Sequence, residues 1–187
     1  MLSRECFDKV SIMEWRSGLD IGCGINQIHS AEFRKLGRNV TTLDIIGSPD
    51  ILADINLFKS ADQFDMIWLS HVLEHQLNVN KFLAKCSDLL SDDGVLAITV
   101  PPMKSEIVGG HVTLWNSGLL CYNLILAGFD LSAAKVWTYG YNISLIVRKK
   151  AAYLPPLNYD CGDIELLSQF FPSPVKQGFN GSNYERR

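Results

Sequence analysis

Residues 71–75 read His71-Val72-Leu73-Glu74-His75, an H-x-x-E-H string. On one helical turn, two imidazoles and a carboxylate at that spacing can hold a zinc ion and activate a water for peptide hydrolysis. That chemistry needs a further carboxylate ligand downstream. The remaining histidines are His29 and His111, the latter in the glycine-containing stretch "VGGHVT". A second chemistry-bearing group lies upstream. "LDIGCGIN" puts Gly22 and Gly24 in a turn, with Asp20 two residues before the first glycine. Glycine lets a backbone approach a ligand closely. Asp20 suits a cationic group, such as an ammonium or a sulfonium. Asp44 closes "TTLD" and Asp54 closes "ILAD". An acid about 20 residues past such a turn commonly accepts both hydroxyls of a ribose. Asp54 could accept from an adenine amino group. Taken singly, each aspartate is more often a cap or turn residue. Three acids ending three successive short apolar segments are harder to dismiss.

The elements that must position these groups follow from patterning. "GLDIGC", "NVTTLDII", "DILADI", "FDMIWLS" and "GVLAITVPP" read as strands. "NQIHSAEFRKLG" reads as a helix capped by Asn26 and stopped by Gly37. "NVNKFLAKCSDLLSDDG" places Val79, Phe82, Leu83, Cys86, Leu89 and Leu90 on one helical face and runs to Gly94. "LWNSGLLCYNLILAGF" reads as a helix with one internal glycine. "LSAAKVWTYGY" and "NISLIVRKK" read as two strands around a tight turn, too close for a parallel crossover. The order predicts an α/β fold: a Rossmann-like, doubly wound, mostly parallel sheet. In such sheets the ligand lies beyond the carboxyl ends of the strands, where the glycine turn falls. Residues 1–150 are expected to form this domain. Residues 151–187 form a proline-containing extended tail with a brief helical "GDIELLSQF". The tail can pack back, order on a partner or stay mobile.

Composition narrows the function class. The 187 residues are 47% hydrophobic and 20% charged, as in an ordinary globular domain. A net charge of −3 argues against a broad electrostatic grip on nucleic acid. The longest apolar run, residues 119–129, is too short for a membrane span of ~20 residues. Cysteines 6, 23, 86, 121 and 161 are odd in number and form no C-x-x-C pair. They read as reduced thiols of a cytoplasmic protein. A dinucleotide fingerprint would need a small third residue where Gln27 stands, so Gln27 and Asp20 argue against an NAD-type dehydrogenase.

Taken together, "GLDIGCGIN", "LDI", "ADI", "FDMIWLSHVLEHQLNVNKFLAKCSDLLSDDGVLAITVPP" and "HVTLWN" with "LAGFDL" resemble the class I S-adenosylmethionine-dependent methyltransferases, the type 11 group above all. The resemblance covers about residues 17–149 and implies a seven-stranded sheet with an antiparallel last strand. It implies S-adenosylmethionine as cofactor. Asp20, Gly22 and Gly24 match positions around its methionine part. Asp44 matches the ribose acid, with Ile45 packed on the adenine. Asp54 and Ile55 match the adenine edge, and Leu69 and Ser70 the strand end beside the transferred methyl. Asn26 stands where the family often has a third glycine.

Placed after the strand "FDMIWLS", the H-x-x-E-H string loses its peptidase reading. The region resembles small-RNA 2′-O-methyltransferases and ubiquinone-pathway O-methyltransferases, which carry E-x-x-E-H there and bind a divalent metal. That resemblance implies His71, Glu74, His75 and His111 as metal ligands. An alcohol acceptor benefits from a base or a metal, and His111, then His71, are the residues expected to take its proton. The expected activity is O-methylation of a sugar, a lipid-linked or another hydroxyl acceptor. The competing expectation is a cofactor-binding but catalytically idle regulatory module. With little sequence before the first strand, the acceptor site is expected to be open, or completed by the tail or by a second copy of the chain, as in a homodimer.

Overall fold

The computed structural model describes residues 2–186. Positions 1 and 187, the outer ends of the two expected segments, lie outside the described residues. Five parallel strands start the sheet: β1 (Ser17–Ile21), β2 (Asn39–Asp44), β3 (Ile51–Leu52), β4 (Phe64–Ser70) and β5 (Leu90–Val100). β6 (Lys135–Tyr139) and β7 (Asn142–Arg148) follow, then a short β8 (Glu185–Arg186). The order across the sheet is β3-β2-β1-β4-β5-β7-β6-β8. β7 runs antiparallel to both β5 and β6. The seven-stranded α/β architecture with its antiparallel last strand is therefore as expected, with β8 added in parallel along β6.

Helices cover both faces: α1 (Arg4–Ser11), α2 (Ile28–Lys35), α3 (Val79–Leu89), α4 (Ser117–Leu126) and α5 (Asp163–Leu167). Period-2 alternation divides each central strand between two cores. Met66 and Trp68 of β4 pack with Cys6, Phe7 and Val10 of α1 and Phe33 of α2. Ile67 and Leu69 pack with Phe82, Leu83 and Cys86 of α3 and Leu120, Leu124 and Ile125 of α4. No helix among the described residues is long and apolar enough to cross a membrane.

Three boundaries differ from the sequence reading. α2 is capped by Gln27, in the left-handed region at φ 46°, rather than by Asn26. α3 ends at Leu89, and β5 begins at Leu90 instead of Gly94, because Leu90 already pairs with Phe64 ahead of a register shift. α4 begins after Asn116, whose side chain accepts from Leu119 N. Trp115 is thereby left in the preceding loop.

Residues 151–187 show order where described. Leu167, Phe171 and Val175 belong to the larger core. At α4 the chain passes so closely that a side chain on Gly118 would meet Phe179 O at 2.8 Å. One on Gly181 would meet Ser117 Cβ at 2.4 Å. Gly118 N also donates to Asn180 O at 3.2 Å.

Candidate active site

The carboxyl ends of β1 and β2 open into a cavity of about 680 Å³. Gly22, Asp44, Ile45, Asp54, Ile55 and His71 line it. Gly22 sits at φ +72°, and a Cβ there would fall 2.4 Å from Val72 Cγ2. The Asp44 carboxylate accepts from Gly24 N at 2.8 Å and Ile45 N at 2.7 Å, which ties the glycine turn to the end of β2. Asp54 accepts from the backbone and side-chain nitrogens of Asn56. Ile45 is 68% exposed, a bare apolar side chain at the rim of the cavity. A flat apolar ring could cover it.

Four of the expected cofactor residues do not line this cavity. Gly24 contributes only its amide to Asp44. Leu69 is core. Ser70 bonds Ser3 through the two hydroxyls at 2.7 Å. Asp20 is turned away by strand alternation: Leu19 and Ile21 belong to the core beneath α3 and α4, while Asp20 receives the hydroxyl of Ser30 from α2. The sequence reading missed Asn56, Gln76, Leu77, Asn78 and Lys81, which complete the wall. Their only signal was position, just after the third and fourth strands.

Asp20 is 1% exposed. Burial pushes its carboxyl up to about 7; the Ser30 hydroxyl opposes that, and the nearby Asp44 charge adds to it. Between about pH 4 and pH 7 the native protein holds a proton that the unfolded chain has released. Stability from this group therefore falls as pH rises through that window and levels off above it. Asp20→Asn keeps the shape and removes the titration. It should melt higher than the parent at pH 8, by up to about 4 kcal/mol of stability, with the gap closing toward pH 4. Thermal denaturation across pH would show it; a gap that does not change with pH would refute it.

Beyond β4 the chain makes a 3-10 turn at Leu73–His75. The loop 101–116 docks on this turn through its backbone. Val112 N and Thr113 N donate to Glu74 O at 2.8 and 3.2 Å. The Thr113 hydroxyl reaches Leu73 O. These bonds bring His111 to Glu74 and His75. Ligand atoms of the three lie within 4.8 Å of one another, and the two imidazole rings meet edge to face at 5.1 Å.

Glu74 is fully buried, and neither carboxylate oxygen has a hydrogen-bond partner of good geometry. His71 Nδ1 makes an ion-pair contact with it at 3.3 Å, and His75 Nε2 at 3.9 Å. His71 Nε2 lies 2.9 Å from Asn142 Oδ1. Burial disfavours a charged His71, but the Glu74 carboxylate and the Asn142 oxygen outweigh it, so its pKa is raised. Both ring nitrogens thus face acceptors, which favours the imidazolium. His75 Nδ1 pairs with Gly110 O at 2.7 Å and so carries the proton. Its Nε2 faces Glu74 at 3.9 Å. His75 lines the large cavity, and His111 lines a second one of about 250 Å³, with Pro101, Met103, Trp115 and Tyr141. The trio therefore stands at the junction of the two. Trp68 is fully buried on the opposite face of the sheet.

Residues 4–125 match the family described as a methyltransferase domain. The chain belongs to this family. It is 27% identical over 166 residues to the (S)-coclaurine N-methyltransferase of Papaver somniferum, covering 70% of this chain and 46% of the relative. The chain thus spans about half the length of that curated relative. Two solved structures share its fold. One is the 1,6-didemethyltoxoflavin-N1-methyltransferase of Burkholderia thailandensis, with its substrate and S-adenosylhomocysteine bound (TM-score 0.65, 18% identity, 79% of this chain and 77% of that one). The other is a SAM-dependent methyltransferase from Archaeoglobus fulgidus (TM-score 0.66, 16% identity, 79% and 92%).

Proposed function

We propose that the chain binds S-adenosylmethionine in the larger cavity and transfers its methyl group to a hydroxyl-bearing acceptor held at the smaller one. The cavity's chemistry supports the cofactor. Gly22 leaves room where any Cβ would collide, Asp44 and Asp54 offer acceptors, and Ile45 offers an apolar face. The bound cofactor supplies an electrophilic methyl on a sulfonium. The chain's part is to position the acceptor and remove its proton. His111, on the acceptor side of the junction, is the residue we assign to receive that proton. His71, held between Glu74 and Asn142 as an imidazolium, serves instead to balance the buried carboxylate. The observation that carries the proposal is the Glu74–His75–His111 cluster at the boundary of the two cavities.

Thermal-shift measurements test the first half. S-adenosylmethionine and S-adenosylhomocysteine should raise the melting temperature and NAD should not. Asp44→Ala should remove most of the shift, because it deletes the acceptor for the ribose. No stabilisation by either sulfur nucleoside would sink the proposal. Transfer of labelled methyl to fractionated cell extract tests the second half; binding without transfer to any fraction would favour an idle regulatory module.

A second reading is carried by Glu74 itself. Its two carboxylate oxygens, His75 Nε2 and His111 converge in a space that a divalent cation would satisfy. Two imidazoles and a carboxylate suit zinc, iron or manganese better than magnesium. Such an ion would orient a hydroxyl and lower its pKa. His71, already engaged with Glu74 and Asn142, would stand behind the ligands rather than among them. Metal analysis of protein purified without a histidine tag, with calorimetric titration by Mn²⁺ or Zn²⁺, separates this reading from the first.

A further inference from the structure

Next to the loop cavity lies another, of about 480 Å³. The two share the Pro102, Met103 and Trp115 wall. Asn116, Asn142 and Asn180 line it from three separate parts of the chain: the loop before α4, the start of β7 and the C-terminal segment. Thr138 and Ser182 add hydroxyls, and no charged side chain among the described residues lines it.

The three carboxamides are arranged alike. Each oxygen is engaged within the fold: Asn116 Oδ1 by Leu119 N at 2.8 Å, Asn180 Oδ1 by Ser182 N at 3.0 Å and Asn142 Oδ1 by His71 Nε2 at 2.9 Å. The amide Nδ2 of each is paired with no acceptor in these bonds, so the groove presents N–H donors. Hydroxyls that can donate or accept stand among them. An anionic ligand would find no cation here, and an amine no carboxylate. Neutral oxygen-rich groups fit: hydroxyls and ring oxygens, with Pro102, Met103 and Trp115 for the apolar faces of a ring. Asn142 belongs at once to this groove and, through His71, to the methyl-transfer junction.

We propose that this groove continues the smaller cavity past the shared Pro102, Met103 and Trp115 wall and holds the body of the acceptor, a neutral polyhydroxylated molecule, a sugar unit above all, whose reacting hydroxyl lies in that cavity. The assignment rests on the methyl-transfer reading above and specifies its substrate class. The C-terminal segment is then a working wall of the site. Its position is fixed by the close passage of Gly181 against Ser117, which tolerates no side chain.

The test uses the full chain saturated with S-adenosylhomocysteine, whose thermal shift is recorded first. Saturation-transfer NMR is then run with methyl glucoside, methyl galactoside and lactose as neutral probes, glucose 1-phosphate as the anion and glucosamine as the cation. The neutral probes should bind. Asn180→Ala combined with Ser182→Ala should weaken them about tenfold, as expected for one or two lost hydrogen bonds, and leave the nucleoside shift in place. Gly181→Val should abolish sugar binding with the shift again retained. Preference for the phosphate or the amine, absence of binding by every neutral probe, or binding unaffected by the Asn180 and Ser182 changes would overturn the groove assignment. Absence of any nucleoside shift in the parent would instead strike the methyl-transfer reading on which it rests.

Discussion

Glu74→Gln should slow methyl transfer by about 100-fold or more and lower the melting temperature. The two halves of that result have one cause. Glu74 is fully buried, and its oxygens accept no hydrogen bond of good geometry. Glutamine leaves the His71 imidazolium, 3.3 Å away, without its counter-charge, and breaking a buried pair on one side only is destabilising. The same substitution removes the negative charge on which His75 and His111 converge. An acceptor proton, or a cation, would then have no compensating charge. Glutamine is chosen over alanine because it keeps the volume, so a loss of rate cannot be assigned to a cavity. If the site holds a metal, the variant should also lose the Mn²⁺ or Zn²⁺ titration. A glutamine variant with full activity would remove Glu74 from the reaction under either reading.

Gly22→Ala should abolish binding of S-adenosylhomocysteine and cost about 2–4 kcal/mol of stability. At φ +72° an L side chain already costs about 1–2 kcal/mol. The added Cβ also lands 2.4 Å from Val72 Cγ2. Val72 is β-branched, stiff at χ1 and packed in the core, so it cannot simply rotate away. Val72 also lines the cofactor cavity, and its displacement deforms the wall beside the glycine turn. Gly24→Ala is the matched control: it has φ +68° but nothing within 4 Å of the new Cβ. It should pay the backbone cost alone and still bind the nucleoside. Val72→Ala added to Gly22→Ala should restore part of the binding. Equal loss of binding at Gly22 and Gly24 would contradict the contact with Val72 as the cause. Calorimetric titration with S-adenosylhomocysteine and thermal melts read all four proteins.

What the sequence made legible was local. "FDMIWLS" is apolar on both faces, and β4 is the buried central strand it implied. The spacing of Phe82, Leu83, Cys86 and Leu89 marked α3. Gly22, Asp44, Ile45, Asp54, Ile55 and His71 do meet on one cavity, because each sits at or just past a strand end. Among the exceptions, Asp20 lies within β1, where pleating rather than proximity decides the direction of a side chain. Less legible was whatever depends on distant backbone contacts. The approach of His111 to Glu74 rests on Val112 N and Thr113 N reaching Glu74 O, about 40 residues back along the chain. The helix before β1 had a signal in Cys6, Phe7 and Val10, one apolar stripe hidden among charges. The docking of the tail depends on Gly118 and Gly181 being bare, a relation between two residues that neither reveals alone.

That last contact also bears on the order in which the protein is synthesised. Lys81 is the furthest residue along the chain that lines the cofactor cavity, and Ser182 the furthest that lines the polar groove. About a hundred residues separate them, so the groove is assembled long after the cofactor walls have left the ribosome. Proteolytic trimming ahead of Asn180 would therefore leave the cofactor cavity's residues in place while removing one wall of the groove.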